Sequence, residues 1–569
     1  MQISLAVVLA AGLAGLAPAH PVHQEDIPEK RGVNVRIDYP EGKVIGVSLA
    51  GIDSFRGVPF AQPPVGDLRL RPPQRYGTSV GTRDATGLGP SCPQMYFSVG
   101  NGSPLTEFLG DLIDIPLSQT ATNTQEDCLT LNIQRPAGST KDSKLPVVFW
   151  IYGGGFELGT NAMYDASGLI ALGVSIHQPF LFVGVNYRSG GFGFLGGKEI
   201  LADGAANLGL LDQRAGLEWV ADNIAAFGGD PDRVTLWGES AGAISVFDQM
   251  ALYDGNNTYK GKPLFRAGIM DSGSIVPADT VDCPKAQTIY DDVVVAAHCA
   301  GATDTLSCLR ALPYDQFLTA VNSVPGLLSY TSVALSYLPR PDGAVLTDSP
   351  EKLLRGGRYA AVPMIIGDQE DEGTIFALFQ SNVTSTDDLV AYLGSFFFRN
   401  ATKTQLRAFV DTYPADASAG SPFRTGLFNE LYPGFKRMAA ILGDLVFTLS
   451  RRMFLSAAAG AHPSVPSWSY LSSYDYGTPV LGTFHGSDLL QVFYGLLPNY
   501  ASKAIQTYYI NFVANLDPNT GASAGTKWPQ WSQNQTLLNF FGDHSTVLPD
   551  DFRAESYGFI VDNVASFRI

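Results

Sequence analysis

Five residues constrain this chain more than any others: Gly238-Glu239-Ser240-Ala241-Gly242, set between the apolar run Val234-Thr235-Leu236-Trp237 and a run of small residues that continues with Ala243. An apolar, β-branched run before and small residues after describe a strand that turns abruptly into a helix. Glycines two places before and two places after Ser240 leave room where strand and helix approach, so the serine stands at the apex of the turn. There the Ala241 N–H lies near a helix start, where unpaired donors and the positive end of the dipole favour an anion. Ser240 is therefore a candidate nucleophile. With 60 glycines in the chain such a pentapeptide also arises by chance, and its context has to decide.

The context is a repeated strand-and-helix pattern. Residues 145–152, 179–187, 233–238, 267–273, 362–367 and 467–474 are short apolar runs, rich in aromatic or β-branched residues and bounded by Gly, Asp or Pro, as buried central strands are. Helical stretches lie between them, including 210–227 and 435–459. Strand followed by helix, repeated, predicts an α/β fold with a large, mostly parallel central sheet covered on both faces. From about residue 34, alternating residues with Gly or Pro turns predict an antiparallel entry to a sheet. No internal repeat or low-complexity linker divides the chain, so one large catalytic domain is expected over 32–569.

A serine hydroxyl needs a base to take its proton, and the attacked carbonyl needs donors for the oxygen that becomes negative. Gly153-Gly154-Gly155 ends the predicted strand 145–152, upstream of the serine, where the N–H groups of Gly154 and Gly155 can approach a substrate unobstructed. The chain has seven histidines. If the base follows the serine, His20, His23 and His177 are excluded, and His298 precedes any good acid candidate. Of His462, His485 and His544, His485 is favoured because it sits in a glycine-bracketed turn after the strand at 467–474. The acid is expected directly after the strand at 362–367, where Asp368, Glu370, Asp371 and Glu372 all stand; spacing does not choose among them.

The N-terminus is apolar for about 17 residues and closes with Ala17-Pro18-Ala19, the small-x-small pattern of a secretory leader over 1–19. A membrane anchor normally needs about 20 apolar residues with flanking charges. Lys30-Arg31 fits either a dibasic site ending a short propeptide, 20–31, or a surface pair of charges. Five cysteines, and Asn-x-Ser/Thr sequons at Asn256, Asn382, Asn400 and Asn534, agree with a secreted glycoprotein. A formal charge of −17 with no basic run argues against a nucleic-acid partner, and no later segment is long and apolar enough to be a transmembrane anchor.

Five motifs in order, EDCLTLN (126–132), WIYGGGF (150–156), NLGLLDQRAGLEWVADNIAAFGGDPDRVTLWGESAG (207–242), GDQEDEGT (367–374) and LGTFHGSD (481–488), resemble the type-B carboxylesterase/lipase family, most of all the secreted fungal lipases and sterol esterases of the Candida and Geotrichum type. The resemblance runs from about residue 34 to the C-terminus and implies the α/β-hydrolase fold. It implies Ser240 as nucleophile, Glu372 as acid and His485 as base, with Gly154, Gly155 and Ala241 forming the oxyanion hole. It implies disulfides Cys92–Cys128 and Cys299–Cys308, with Cys283 free, and a structural ion pair between Arg56 and Glu126. A loop of 36 positions closed by the first disulfide is worth about 3–4 kcal/mol by chain entropy. The chemistry requires no metal or organic cofactor.

Within that loop, 92–128, Ser103-Pro104 is an N-cap and first-turn pair and Pro116 a stop. Leu105, Phe108, Leu109, Leu112 and Ile113 fall on one helical face, with Glu107, Asp111 and Asp114 opposite. An amphipathic helix on a stapled excursion reads as a lid, which by resemblance meets the lipid–water interface; the bland alternative is a helix packed permanently on the body. The expectation is hydrolysis of esters with long apolar acyl groups by a monomer, or by a weak dimer through the lid. The sequence does not separate triacylglycerols from sterol esters or from soluble short-chain or feruloyl esters.

Overall fold

The computed structural model describes residues 31–96, 123–493, 495 and 498–569. The leader and the five apolar residues of the amphipathic segment, Leu105, Phe108, Leu109, Leu112 and Ile113, lie outside the described residues.

One 13-stranded sheet organises the described residues. Its strands are β1 (Arg31–Asp38), β2 (Glu41–Leu49), β3 (Ile52–Pro59), β4 (Gly81–Asp84), β5 (Thr130–Pro136), β6 (Leu145–Ile151), β7 (Leu181–Val185), β8 (Gly229–Glu239), β9 (Ala267–Asp271), β10 (Met364–Gln369), β11 (Ser467–Ser472), β12 (Thr536–Phe540) and β13 (Ser545–Pro549). The spatial order is β1-β2-β3-β5-β7-β6-β8-β9-β10-β11-β12-β13, with β4 beside β2. From β7 through β6 to β12 every pairing is parallel. Strands β1, β2, β3 and β5 pair antiparallel in turn and continue the same sheet, while β4 lies parallel to β2. Each of the six apolar runs read from the sequence contains or overlaps one of these parallel strands.

The difference between edge and centre is written in side-chain chemistry. β1 alternates, burying Val35 and Ile37 while their neighbours face water. β6, β7 and β9 carry almost no polar side chain, and their residues are buried on both faces. Helices α1 (Leu208–Asn223), α2 (Ala241–Gly255), α3 (Pro284–Ala296), α4 (Phe435–Gly443), α5 (Leu449–Ala461) and α6 (Tyr500–Asn515) supply much of the cover. The stretch 435–459, read as one helix, is α4 and α5 joined through a π-turn at Asp444–Thr448. Among the described residues no helix is long and apolar enough to cross a membrane.

Both expected disulfides are present, Cys92–Cys128 and Cys299–Cys308, and Cys283 is free and buried. The four sequon asparagines Asn256, Asn382, Asn400 and Asn534 are all exposed. The expected Arg56–Glu126 pair is not formed. Glu126 instead takes a bidentate, buried contact from Arg69, at 2.6 Å and 2.7 Å, while Arg56 on β3 reaches Asp165 at 3.2 Å. Arg69 fits the buried role because its remaining nitrogen donates to the carbonyls of Arg310 and Leu312, leaving no donor stranded.

Candidate active site

β8 ends at Glu239 and α2 begins at Ala241, so the whole reversal falls on Ser240, at φ 56° and ψ −125°. A non-glycine residue in that region carries strain that the surrounding structure must hold. The holding contacts are specific. The Ser240 N–H donates to the Asp271 carbonyl at 2.9 Å, tying the apex to the end of β9. A Cβ on Gly238 would fall on the Gly242 carbonyl, and one on Gly242 on the Ile151 carbonyl oxygen, so no larger residue fits either place. The two glycines flanking the serine thus face each other across the turn.

The glycine turn leaving β6 runs beside this apex. Gly154 and Gly155 have φ of 103° and 63°, and a Cβ on Gly153 would meet the Glu239 carboxylate and the Ser240 side chain. Among the described residues, the N–H groups of Gly154, Gly155 and Ala241 donate no hydrogen bond. Unpaired backbone donors in a turn beside a buried hydroxyl are the kind of group that stabilises a developing anion.

His485 comes from the loop after β11. Its Nε2 lies 2.8 Å from Ser240 Oγ and its Nδ1 2.6 Å from Glu372 Oε2. Phe447 and Phe376 flank the imidazole at ring distances of 4.5 Å and 5.0 Å and fix its plane. The loop is tied to the acid segment because the Asp371 N–H donates to the Thr483 carbonyl, and the Thr483 N–H to Asp371 Oδ2.

The four acids after β10 separate cleanly. Asp368 pairs with buried Arg451 at 2.7 Å, and Glu370 with Arg424 on the surface. Asp371 accepts from Ser421, Phe423 and Thr483 and is pushed up to about 7, chiefly by burial. Glu372 alone reaches a histidine, with its other oxygen accepting the Gln369 N–H at 2.7 Å. The competing histidines are elsewhere: His462 faces the Gly357 carbonyl and His544 the exposed Asp543.

Sequence reasoning missed a group of buried carboxyls behind the imidazole. Glu239 Oε1 stands 3.4 Å from His485 Nε2. Burial, followed by the charges of Asp488, Glu372 and Asp271, pushes the Glu239 carboxyl well above its ordinary range; Asp488 moves the same way, chiefly through burial. Asp271 is pushed up to about 6 by burial, a rise limited by hydrogen bonds from Trp237, Tyr509 and Tyr470. Glu239 had one signal, its place directly before the serine; Asp271 and Asp488 had only their positions at a strand end and beside His485.

Comparison with known proteins agrees with this geometry. The profile of the Carboxylesterase family matches residues 32–560. The chain is 60% identical over 556 residues to the "Secreted triacylglycerol lipase LIP1" of Gibberella zeae, covering 97% of this chain and 94% of that protein. It is 41% identical over 542 residues to "Lipase 1" of Geotrichum candidum, covering 92% and 94%. Among solved structures it is similar to EstA of Aspergillus niger, with a TM-score of 0.78 at 28% identity, covering 95% of this chain and 99% of that one. With an α/β-hydrolase sheet, a serine at its apex and a family match spanning nearly the whole chain, this protein is a carboxylic ester hydrolase that belongs to the carboxylesterase family.

Proposed function

We propose that the chain is a secreted lipase-type enzyme that hydrolyses esters with long apolar acyl groups through an acyl-enzyme on Ser240. The observation that carries this reading is the unbroken line of contacts from Ser240 Oγ through His485 to Glu372 Oε2, at 2.8 Å and 2.6 Å. His485 takes the serine proton as Oγ attacks the ester carbonyl, and returns it to the departing alcohol. It then takes a proton from water as the water oxygen attacks the acyl carbon, and passes that proton to Ser240 Oγ as the acyl carbon–oxygen bond breaks and the acid leaves. Glu372 holds the imidazole in orientation and balances its transient charge. The N–H groups of Gly154, Gly155 and Ala241 receive the carbonyl oxygen as it becomes negative.

The long-chain preference and the secreted state are supported by 60% identity to a protein named a secreted triacylglycerol lipase. The stapled segment 92–128 is the lid in this reading. It turns its apolar face to a lipid–water interface or, in a weak dimer, to a second copy of the chain.

Ser240→Ala is expected to abolish turnover while leaving the unfolding midpoint within a few degrees; retained hydrolysis would sink the assignment. An acyl-chain series offered dissolved and emulsified tests the substrate. Activity that rises when a triacylglycerol passes its solubility limit supports the lipase reading. Saturation on soluble short or feruloyl esters, or preference for a cholesteryl ester, replaces it with the corresponding alternative.

A further inference from the structure

Glu157 stands two residues past Gly155 and is fully buried. Its N–H donates to the Gly154 carbonyl at 3.0 Å, and its own carbonyl accepts from the Met95 N–H, so its backbone belongs to the glycine turn. Its side chain belongs to something else. Glu157 Oε2 accepts the Leu327 N–H at 2.7 Å, and the N–H groups of Ser336 and Tyr337 also face the carboxyl. Oε1 is buried with no partner among the described residues. Burial pushes this carboxyl up to about 8. Burying a carboxyl is costly, so its partners point to its purpose.

The segment it grips, 327–337, lies against both halves of the site. A Cβ on Gly155 would stand 3.0 Å from Leu327 Cδ2 and 3.3 Å from Leu335 Cδ2, so both leucines rest on the turn. Ser332 Oγ donates to the Phe376 carbonyl at 2.9 Å, and Phe376 flanks His485. From the far side, partly buried Lys285 at the start of α3 donates to the carbonyls of Ala334 and Phe396. The segment is therefore fastened near both ends by ionisable groups, and Leu335, at φ 26°, is held in a strained conformation between them.

We propose that Glu157 is a positioning residue for ester hydrolysis: its carboxyl fastens segment 327–337 to the glycine turn, so that Leu327 and Leu335 stay seated on Gly155 and the N–H groups of Gly154 and Gly155 stay aimed at the ester oxygen. The inference rests on the reading of that turn as the place of the oxyanion. Leu327 and Leu335 act as a clamp on the turn, and Glu157 sets the clamp. A donor displaced from a developing oxyanion loses stabilisation mainly in the transition state, so the loss appears in kcat.

The test compares Glu157→Leu, Glu157→Gln and Glu157→Asp on p-nitrophenyl butyrate, with active sites counted by a serine-directed organophosphate. Leucine removes the acceptor for the Leu327 N–H; it is expected to lower kcat per active site on the order of tenfold to a hundredfold with KM within about threefold. Affinity for a trifluoromethyl ketone should fall in proportion to kcat/KM. Glutamine keeps a carbonyl acceptor of the same reach and is expected to recover kcat to within about threefold of the parent. If the leucine variant does not fold, the aspartate variant, one methylene shorter, carries the test, and its kcat must fall below that of glutamine. Unchanged kcat per active site, with only the melting temperature lowered, would show Glu157 to be structural and overturn the proposal. A Ser240→Ala variant that still hydrolyses the ester would overturn the reading beneath it, a result these variants do not imitate.

Discussion

Two groups of buried carboxyls, each with one member on β10 or in the turn that follows it, are built on opposite principles. Asp368 and Asp550 meet arginine. Arg451 donates to both, Arg452 and Trp531 add to Asp550, and all of these side chains are buried. Burial opposes ionisation of Asp550, but the two guanidiniums overcome it and hold the group at about 2. Asp368, which receives one nitrogen of Arg451 and leaves Oδ1 without a partner among the described residues, stays at about 7 through burial. Behind His485 the carboxyls of Glu239, Asp271, Asp488 and Glu372 have no arginine or lysine hydrogen-bonded to them among the described residues. Through these two carboxyls Arg451 ties α5 to β10 and the C-terminal segment. In the mechanism proposed above, the second group meets its cation only during turnover, when His485 takes the serine proton. A buried carboxyl that is fully paired reads as framework; one aimed at a histidine and otherwise unpaired reads as chemistry.

The largest effect expected from this contrast is at Glu372. Glu372→Gln keeps the shape but removes the charge that faces Nδ1, and by analogy with the general triad case kcat should fall about 10⁴-fold. The melting temperature should move little, because no paired cation is stranded. A variant that melts far lower while keeping its kcat would place Glu372 in the framework class and break the comparison.

Arg451→Met is the converse. It strands Asp368 and part of Asp550 in the interior, and removal of one partner from a buried pair costs about 3–5 kcal/mol. Urea unfolding should show that loss, while kcat per organophosphate-titrated site stays near the parent value at low temperature. Equal losses of stability and kcat would show that the two groups are not separate.

How far the sequence reached follows the same division. Ser240, the glycine turn and the positions of the central strands along the chain were legible because each is fixed locally, by spacing along one strand or one turn. His485 was legible by elimination and by its glycine-bracketed loop. The choice of Glu372 among four acids came from the family resemblance and not from spacing, since it depends on which way each side chain leaves a turn, and that is set by Arg451, Arg424 and Ser421, all far along the chain. The Arg69–Glu126 pair was missed for the same reason: 57 positions separate the partners, and Arg56 offered an equally plausible charge. Glu157, lying directly after the glycine motif, gave no outward sign that its carboxyl reaches Leu327.

Acid and neutral pH should separate Asp550 from Asp271. Asp550 sits at about 2, below its ordinary 3.8, so it adds stability that is complete above pH 3.8 and lost as pH falls through 2. Asp271 sits at about 6, above 3.8, so it weakens the fold as pH rises from 3.8 to 6. The shifts correspond to about 2 kcal/mol for Asp550 and about 3 kcal/mol for Asp271, with opposite signs. Urea midpoints between pH 2 and 7 should lose their acid limb in Asp550→Asn and flatten between pH 4 and 6 in Asp271→Asn. Parallel curves for both variants and the parent would mean that neither carboxyl titrates as its surroundings dictate.

The smallest effect is the most discriminating, because at Glu239 the two classes predict opposite signs. Glu239 is buried, and burial with the charges of Asp488, Glu372 and Asp271 raises its carboxyl well above the ordinary range. A framework carboxyl replaced by an amide would lose stability. An unpaired one should not: Glu239→Gln removes a titratable group from a crowd of like charges, and stability at pH 7 should hold or rise by up to about 1 kcal/mol. Its distance of 3.4 Å from His485 Nε2 makes the kinetic effect specific. When His485 becomes cationic, a neighbour able to ionise stabilises it, and an amide does not. The variant should therefore show a modest fall in kcat, about threefold to tenfold, with a shifted acid limb of the kcat–pH profile. A loss of stability with an unmoved profile would return Glu239 to the framework and leave His485 to Glu372 alone.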